Sequence, residues 1–136
     1  ILIDIDNTLI DHGGRAFDDK AKDVIAKVYD AGMECLLFSN AKRDRIKRIS
    51  NDSGISYVPR PMKPSGRGIR KLISDRKDIR ASEIAVVGDQ IFTDVISGNI
   101  AGTMTILVDP VSHDEPLQIK VKRQLEKLFK KRIAID

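Results

Sequence analysis

The sequence predicts an α/β fold: a doubly wound, Rossmann-like, five-stranded parallel sheet with helices on both faces. Two observations carry this. Short apolar, β-branched runs alternate with helical patterns along the whole chain, the signature of strands joined by right-handed helical crossovers. The runs are also continuously apolar rather than alternating, as strands covered on both faces must be. In order, strands are expected at Ile1–Ile5, Glu34–Phe38, Ser56–Val58, Ile84–Val87 and Thr103–Val108. Helices are expected at Asp18–Ala31, Lys42–Ser53, Ser65–Ser74 and Thr93–Ala101, with a final one over about 115–133. Gly32 and Gly54 stand where helix C-caps belong, and Gly102 follows the fourth helix. No repeat, linker or low-complexity stretch interrupts the pattern, so residues 1–136 read as a single domain.

The chain's 136 residues, 41% hydrophobic and 32% charged, are enough for one core without staples and exclude a disordered or fibrous class. No apolar run approaches the roughly 18 residues that a bilayer span needs. The lone Cys35 excludes an internal disulfide and a zinc ribbon; it reads as a small buried hydrophobe and fits a reducing, cytoplasmic location. The chain opens on Ile1 inside an apolar run, so further residues, a targeting segment among them, are expected upstream. The net charge of +4 is uneven: residues 117–136 carry seven basic groups against two acidic ones. With no Trp and only two Tyr and four Phe, the chain offers little for base stacking, and no nucleic-acid partner is expected.

In a doubly wound sheet, ligands bind at the carboxyl ends of the strands. The residues there are Asp4-Ile5-Asp6-Asn7-Thr8, Ser39-Asn40 and Gly88-Asp89, with Asp94 one turn on and Lys63 in the loop opening the third helix. Any one of these aspartates alone reads as a loop or helix-cap residue. As a set they form an acidic cluster that needs a compensating cation. All-oxygen ligation points to Mg²⁺, which takes one or two carboxylates together with a substrate phosphate. Asp4 and Asp6, two apart on a continuing strand, should share one face. Lys63 adds a second cation, and Thr8, Ser39 and Asn40 offer hydrogen bonds near helix starts where oxyanions settle. The set reads as a phosphoryl group held between metal, lysine and amides, facing a carboxylate nucleophile.

These residues resemble the four motifs of the haloacid dehalogenase (HAD) superfamily: Asp4-Ile5-Asp6-Asn7-Thr8 the first, Ser39 the second, Lys63 the third, and Gly88-Asp89 through Thr93-Asp94 the fourth. More narrowly, Asp6-Asn7-Thr8-Leu9, Ser39-Asn40, Lys63-Pro64, Gly88-Asp89-Gln90 and Gly102 before Ile106-Leu107-Val108 resemble the YqeG-type group (HAD subfamily IIIA), itself similar to phosphatidylglycerophosphate phosphatases. The resemblance implies a Mg²⁺-dependent phosphomonoesterase. Asp4 would be the nucleophile that forms an aspartyl-phosphate, and Asp6 the acid and then the base. Mg²⁺ would be held by the Asp4 carboxylate, the Asp6 backbone carbonyl and Asp89, with Asp94 acting through water or by orienting the site. Ser39 would bond a phosphoryl oxygen and Lys63 neutralise charge on it and on Asp4. Thr8, Asn40 and Arg43 are expected to bind substrate. A receiver domain of two-component signalling fits poorly, because no Asp lies in Ile55–Val58 and Lys63 precedes Gly88-Asp89.

The segments between Asp6 and Ser39, and between Asn40 and Lys63, have room for helices but not for a cap domain. Only a small β-flap over Ile10–Phe17, turning at Gly13-Gly14, is expected. An open site suits a large substrate, or a small one enclosed by a second copy of the chain in a homo-oligomer. Lys42, Arg43, Arg45, Lys47 and Arg48 beside Ser39-Asn40, and Arg60, Arg67 and Arg70 around Lys63, read either as solvated helix faces or as a wall attracting anions. In the tail, Leu117, Val121, Leu125, Leu128 and Phe129 form an apolar stripe opposite Lys and Arg. The stripe is expected to pack on the sheet, leaving a basic face for peripheral contact with an anionic membrane surface. His12 and His113 read as loop residues. The leading substrate is a lipid-linked phosphate such as phosphatidylglycerol phosphate. The alternatives are a soluble sugar phosphate, a nucleotide, a nucleic-acid 3′-phosphate, or a non-catalytic phosphate-binding scaffold.

Overall fold

The computed structural model describes residues 1–11 and 14–112. The expected final helix over 115–133 and its basic face, His113, and the His12-Gly13 part of the expected flap lie outside the described residues.

Four parallel strands form the sheet: β1 (Leu2–Ile3), β2 (Leu36–Leu37), β3 (Ala85–Gly88) and β4 (Met104–Leu107), in the spatial order β2-β1-β3-β4. The chain winds outward from β1 to β2, then crosses back to place β3 on the other side of β1. The crevice between β1 and β3 is therefore the topological switch point where doubly wound sheets bind ligands. Asp4 and Asp89 stand at its lips, each immediately after its strand.

The fifth expected strand is corrected to a single bridge. Tyr57 pairs with Leu37 in the parallel sense, through Leu37 N–H to the Ser56 carbonyl and Val58 N–H to the Leu37 carbonyl, both 2.9 Å. Pro59 follows, has no N–H to continue the ladder, and ends the pairing after one residue. The sheet is thus four strands with a one-residue extension at the β2 edge.

Successive strand residues face opposite ways, and two cores result. Ile3 and Leu37 pack with Ala21 and Ile25 of α1 (Asp19–Asp30) and Ile46 and Ile49 of α2 (Arg43–Ser53). Leu2, Leu36, Phe38 and Val86 pack with Ile69 of α3 (Arg67–Arg76), and Ala101 of α4 (Ile96–Ala101) lies against this second core. Cys35 is buried in the first core, as its place in an apolar run predicts.

Helix limits follow local chemistry. The Asp18 side chain caps α1 by accepting from Ala21 N–H at 2.7 Å, and Gly54, at φ 72°, ends α2 in the left-handed conformation that glycine adopts without penalty. α3 begins two residues later than Ser65, because Gly66 at its N-cap takes φ 68° and cannot belong to the helix. The expected helix from Thr93 opens instead as one wide turn over Ile91–Val95, in which Val95 N–H reaches back to the Gln90 carbonyl, before α4 continues from Ile96. Among the described residues no folded unit is inserted between β1 and β2 or between β2 and β3 beyond α1, α2, α3 and a short turn at Ala81–Glu83, which agrees with the absence of a cap. On the α1/α2 side of the sheet edge, Met104 is 64% and Ile106 42% exposed.

Candidate active site

The backbone at the tip of β1 fixes the first motif. Asp4 N–H still bonds the Val87 carbonyl at 2.8 Å, so Asp4 is held in the sheet. The chain then turns tightly: Leu9 and Ile10 N–H both reach the Ile5 carbonyl at 3.0 Å, and Asn7 takes φ 59°. Asn is among the few residues that adopt this conformation readily. Because the strand does not continue, Asp4 and Asp6 do not share a face as expected. Asp4 is 4% exposed and points into the floor of the crevice, whereas the Asp6 side chain is 19% exposed at its rim.

The floor is strongly charged. Carboxylate oxygens of Asp4, Asp89 and Asp94 all lie within 4.8 Å of one another, and Asp89 and Asp94 are each 1% exposed. Lys63, with its side chain 4% exposed, donates from Nζ to Asp4 Oδ1 at 2.7 Å and to Asp94 Oδ1 at 2.5 Å. The same ammonium sits 5.2 Å from the centroid of the buried Phe38 ring, a favourable cation–π distance. Thr8 Oγ1 donates to Asp89 Oδ1 at 3.2 Å, and Gln90 N–H donates to Asp94 Oδ2 at 3.1 Å. Asp94 reaches inward because the wide turn at Ile91–Val95 folds it back over the end of β3. Gly88 leaves the space: a Cβ there would sit 2.2 Å from the Asp94 carboxyl carbon.

Three buried carboxylates against one ammonium leave the floor short of positive charge. The effect falls on Asp4, whose pKa is pushed up to about 7, first by burial and then, against the pull of Lys63, by the neighbouring Asp94 and Asp89 carboxylates. For Lys63, burial acts to lower the pKa but is outweighed by Asp4 and Asp94, which hold it above the usual lysine value. A divalent cation among the three carboxylates would supply the missing charge, and the donors are all oxygen, the set that suits Mg²⁺.

The remaining predicted residues take distinct places. Ser39 follows β2, is buried, and accepts at Oγ from Ala41 N–H at 3.1 Å. The Asn40 amide brackets the backbone of Lys63, donating from Nδ2 to its carbonyl at 2.9 Å and accepting its N–H at Oδ1 at 3.2 Å. Asn40 thus aims the lysine. Arg43 is exposed in the first turn of α2 and is not brought to the floor.

Two residues on, Arg45 is. Its Nη1 donates to Asp6 Oδ2 at 2.7 Å and its Nη2 to Asp6 Oδ1 at 2.8 Å and to the Gly14 carbonyl at 3.0 Å. Sequence placed Arg45 only within a basic cluster. The one usable signal was the spacing of α2: an arginine two residues after Arg43 lies on another face of the helix, beside the buried Ile46 and Ile49 rather than toward solvent.

Comparison with known proteins agrees with this geometry. A family model for mitochondrial PGP phosphatase matches residues 1–112. Bacillus subtilis "Probable phosphatase YqeG" is 28% identical over 127 residues, 93% of this chain and 73% of that protein. The chloroplastic/mitochondrial phosphatidylglycerophosphate phosphatase 1 of Arabidopsis thaliana is 32% identical over 90 residues, 65% of this chain but only 25% of that protein. Among solved structures, the HAD-hydrolase YfnB of Bacillus subtilis, crystallised with magnesium, superposes with a TM-score of 0.60 at 18% identity, over 84% of this chain and 57% of that one. The fold is therefore HAD-like.

Proposed function

The chain belongs to the PGP phosphatase family of HAD-type phosphoric monoester hydrolases, and from that premise we propose that it hydrolyses a lipid-linked phosphomonoester, such as phosphatidylglycerol phosphate, through an aspartyl-phosphate on Asp4. The observation that carries this reading is the buried floor, where three carboxylates meet at a switch point and Lys63 grips two of them. Structural ion pairs seldom gather three buried carboxylates on one ammonium, because the unbalanced charge is costly; a site that receives a cation and a phosphoryl group has reason to.

Asp4, Asp89 and Asp94 would hold Mg²⁺, with the Asp6 carbonyl beside them. When bound, the ion neutralises charge on the phosphoryl oxygens and on the carboxylates. This chain's own residues supply the rest. An Asp4 carboxylate oxygen forms a bond to phosphorus as the ester P–O bond breaks, and Asp6 gives a proton to the departing oxygen. Water then attacks phosphorus, Asp6 takes its proton, and the Asp4–phosphorus bond breaks to release phosphate. Lys63 favours the Asp4 anion, which burial opposes, and offsets charge on the phosphoryl group; Ser39 donates to a phosphoryl oxygen; Thr8 fixes the Asp89 carboxylate.

The lipid assignment is supported by the family's description and by a crevice over which, among the described residues, no cap is inserted between the strands. Among the described residues no helix is long and apolar enough to cross a membrane; the basic residues of α2 would favour an anionic headgroup at a bilayer surface. A substrate panel tests the proposal. Phosphatidylglycerol phosphate in mixed micelles should be turned over in preference to sugar phosphates and nucleotides. Asp4→Asn should lose at least about a thousandfold in kcat while keeping its circular dichroism spectrum. Turnover surviving in that variant would remove Asp4 as nucleophile; a soluble phosphate outcompeting the lipid would remove the lipid assignment.

A further inference from the structure

The rim of the crevice carries a group that the phosphatase chemistry leaves without a task. Arg45 holds both oxygens of Asp6 in a planar fork, at 2.7 and 2.8 Å, and is tied to the Gly14 carbonyl as well. Its buried Nε–H has no hydrogen-bond partner among the described residues. A guanidinium offers five donors in fixed directions, and a buried one left empty is costly. The observed pose is therefore not the one that satisfies Arg45 best. An anion presenting two oxygens along the Nε–Nη edge would satisfy it better.

The pair also constrains Asp6. To give a proton to the leaving oxygen, Asp6 must first carry one, and its protonated oxygen is then a donor and a poor acceptor for the Arg45 fork that now holds both oxygens. Freeing one leaves the guanidinium short of a partner, at a site where its side chain is only 20% exposed and water replaces it poorly. A second anionic group on the substrate removes that difficulty. Two hydrogen bonds in series put the guanidinium roughly 6 Å from the leaving oxygen, on the alcohol side of the ester and away from the buried floor. The anion it meets is thus part of the leaving group and not the phosphoryl group under attack.

We propose that Arg45 is a specificity-determining residue: its guanidinium exchanges the Asp6 carboxylate for a second anionic group on the leaving alcohol, so that the enzyme selects phosphomonoesters that carry one. The inference rests on the assignment of Asp6 as the acid and base. It names a substrate class, an alcohol phosphate with a phosphodiester or carboxylate a few bonds from the ester oxygen. That chemistry occurs in lipid headgroups and in soluble metabolites alike.

The test uses matched substrates on the whole chain: glycerol phosphate, the same ester with a methyl phosphodiester on a second hydroxyl, and that headgroup on long acyl chains in micelles. Wild type should favour the soluble phosphodiester compound over glycerol phosphate in kcat/KM. In Arg45→Gln that preference should fall about 10–100-fold, the range for losing hydrogen bonds to a charged group. Arg45→Lys should recover part of it, since it keeps the charge without the fork, and it stands in if the glutamine variant does not fold. A lipid source is indicated if the micellar substrate adds a further preference that Arg45→Gln leaves in place. The proposal is overturned if wild type does not distinguish the two soluble esters, or if the variants lower both equally, which would make Arg45 only a positioning residue for Asp6. Wild type that hydrolyses none of the three would instead overturn the phosphatase mechanism itself.

Discussion

Removing Lys63 should expose the electrostatic imbalance on which the site is built. In Lys63→Met, three carboxylates within 4.8 Å of one another keep their burial and lose their ammonium. Breaking a buried ion pair from one side costs about 3–5 kcal/mol. For a chain of 136 residues, with an unfolding entropy near 2.1 cal/mol/K per residue, that corresponds to a Tm lowered by about 10–17 °C. The loss must depend on pH. The folded pKa of Asp4, at about 7, lies above its unfolded value of 3.8, so folding takes up a proton between them. The stability linked to this group is present at low pH and is lost as pH rises through 7. Without Lys63 the folded pKa moves higher still, and holding the carboxyl neutral costs little at pH 5, close to its unfolded pKa, and more at pH 8. Thermal unfolding followed by circular dichroism, without divalent cations, should show a large Tm deficit at pH 8 and less than half of it at pH 5. A deficit of only about 3 °C at pH 8, or one equal at both pH values, would refute the claim that charge balance governs the floor.

The cation and the glycine at the strand end give two further expectations. Mg²⁺ added to wild type should raise Tm more at pH 8 than at pH 5, because the ion competes with the proton that Asp4 otherwise holds; calorimetric scans at the two pH values with and without chelator would show it, and an increment independent of pH would count against ligation by Asp4. Gly88→Ala would push a methyl group to 2.2 Å from the Asp94 carboxyl carbon, so Asp94 must move off Lys63. We expect a cost of about 1–3 kcal/mol and Mg²⁺ affinity lowered at least about tenfold, measured by denaturant unfolding and titration calorimetry. Unchanged affinity would separate Asp94 from the metal site.

Much of this molecule is legible without coordinates because its determinants are local. Continuous apolar runs need cover on both faces, which sets a parallel sheet; the residues at the run ends then converge, so Asp4, Lys63, Asp89 and Asp94 could be grouped from sequence alone, and they meet at the switch point. Among the described residues only helices and a short turn lie between these tips, as their short spacing predicts. What sequence could not supply depended on where a strand stops and which side chain another reaches. One proline limits the fifth strand to Tyr57. A turn with Asn7 at positive φ sends Asp4 to the floor and Asp6 to the rim, though period-two spacing puts both on one face. Asn40 holds the backbone of Lys63, and Arg45, 39 residues from Asp6, reaches that carboxylate, while Arg43, expected to bind substrate, is exposed. Backbone pattern is written in neighbouring residues; the pairing of two long side chains across the fold is fixed only by tertiary packing, which sets their distance and how much water lies between them.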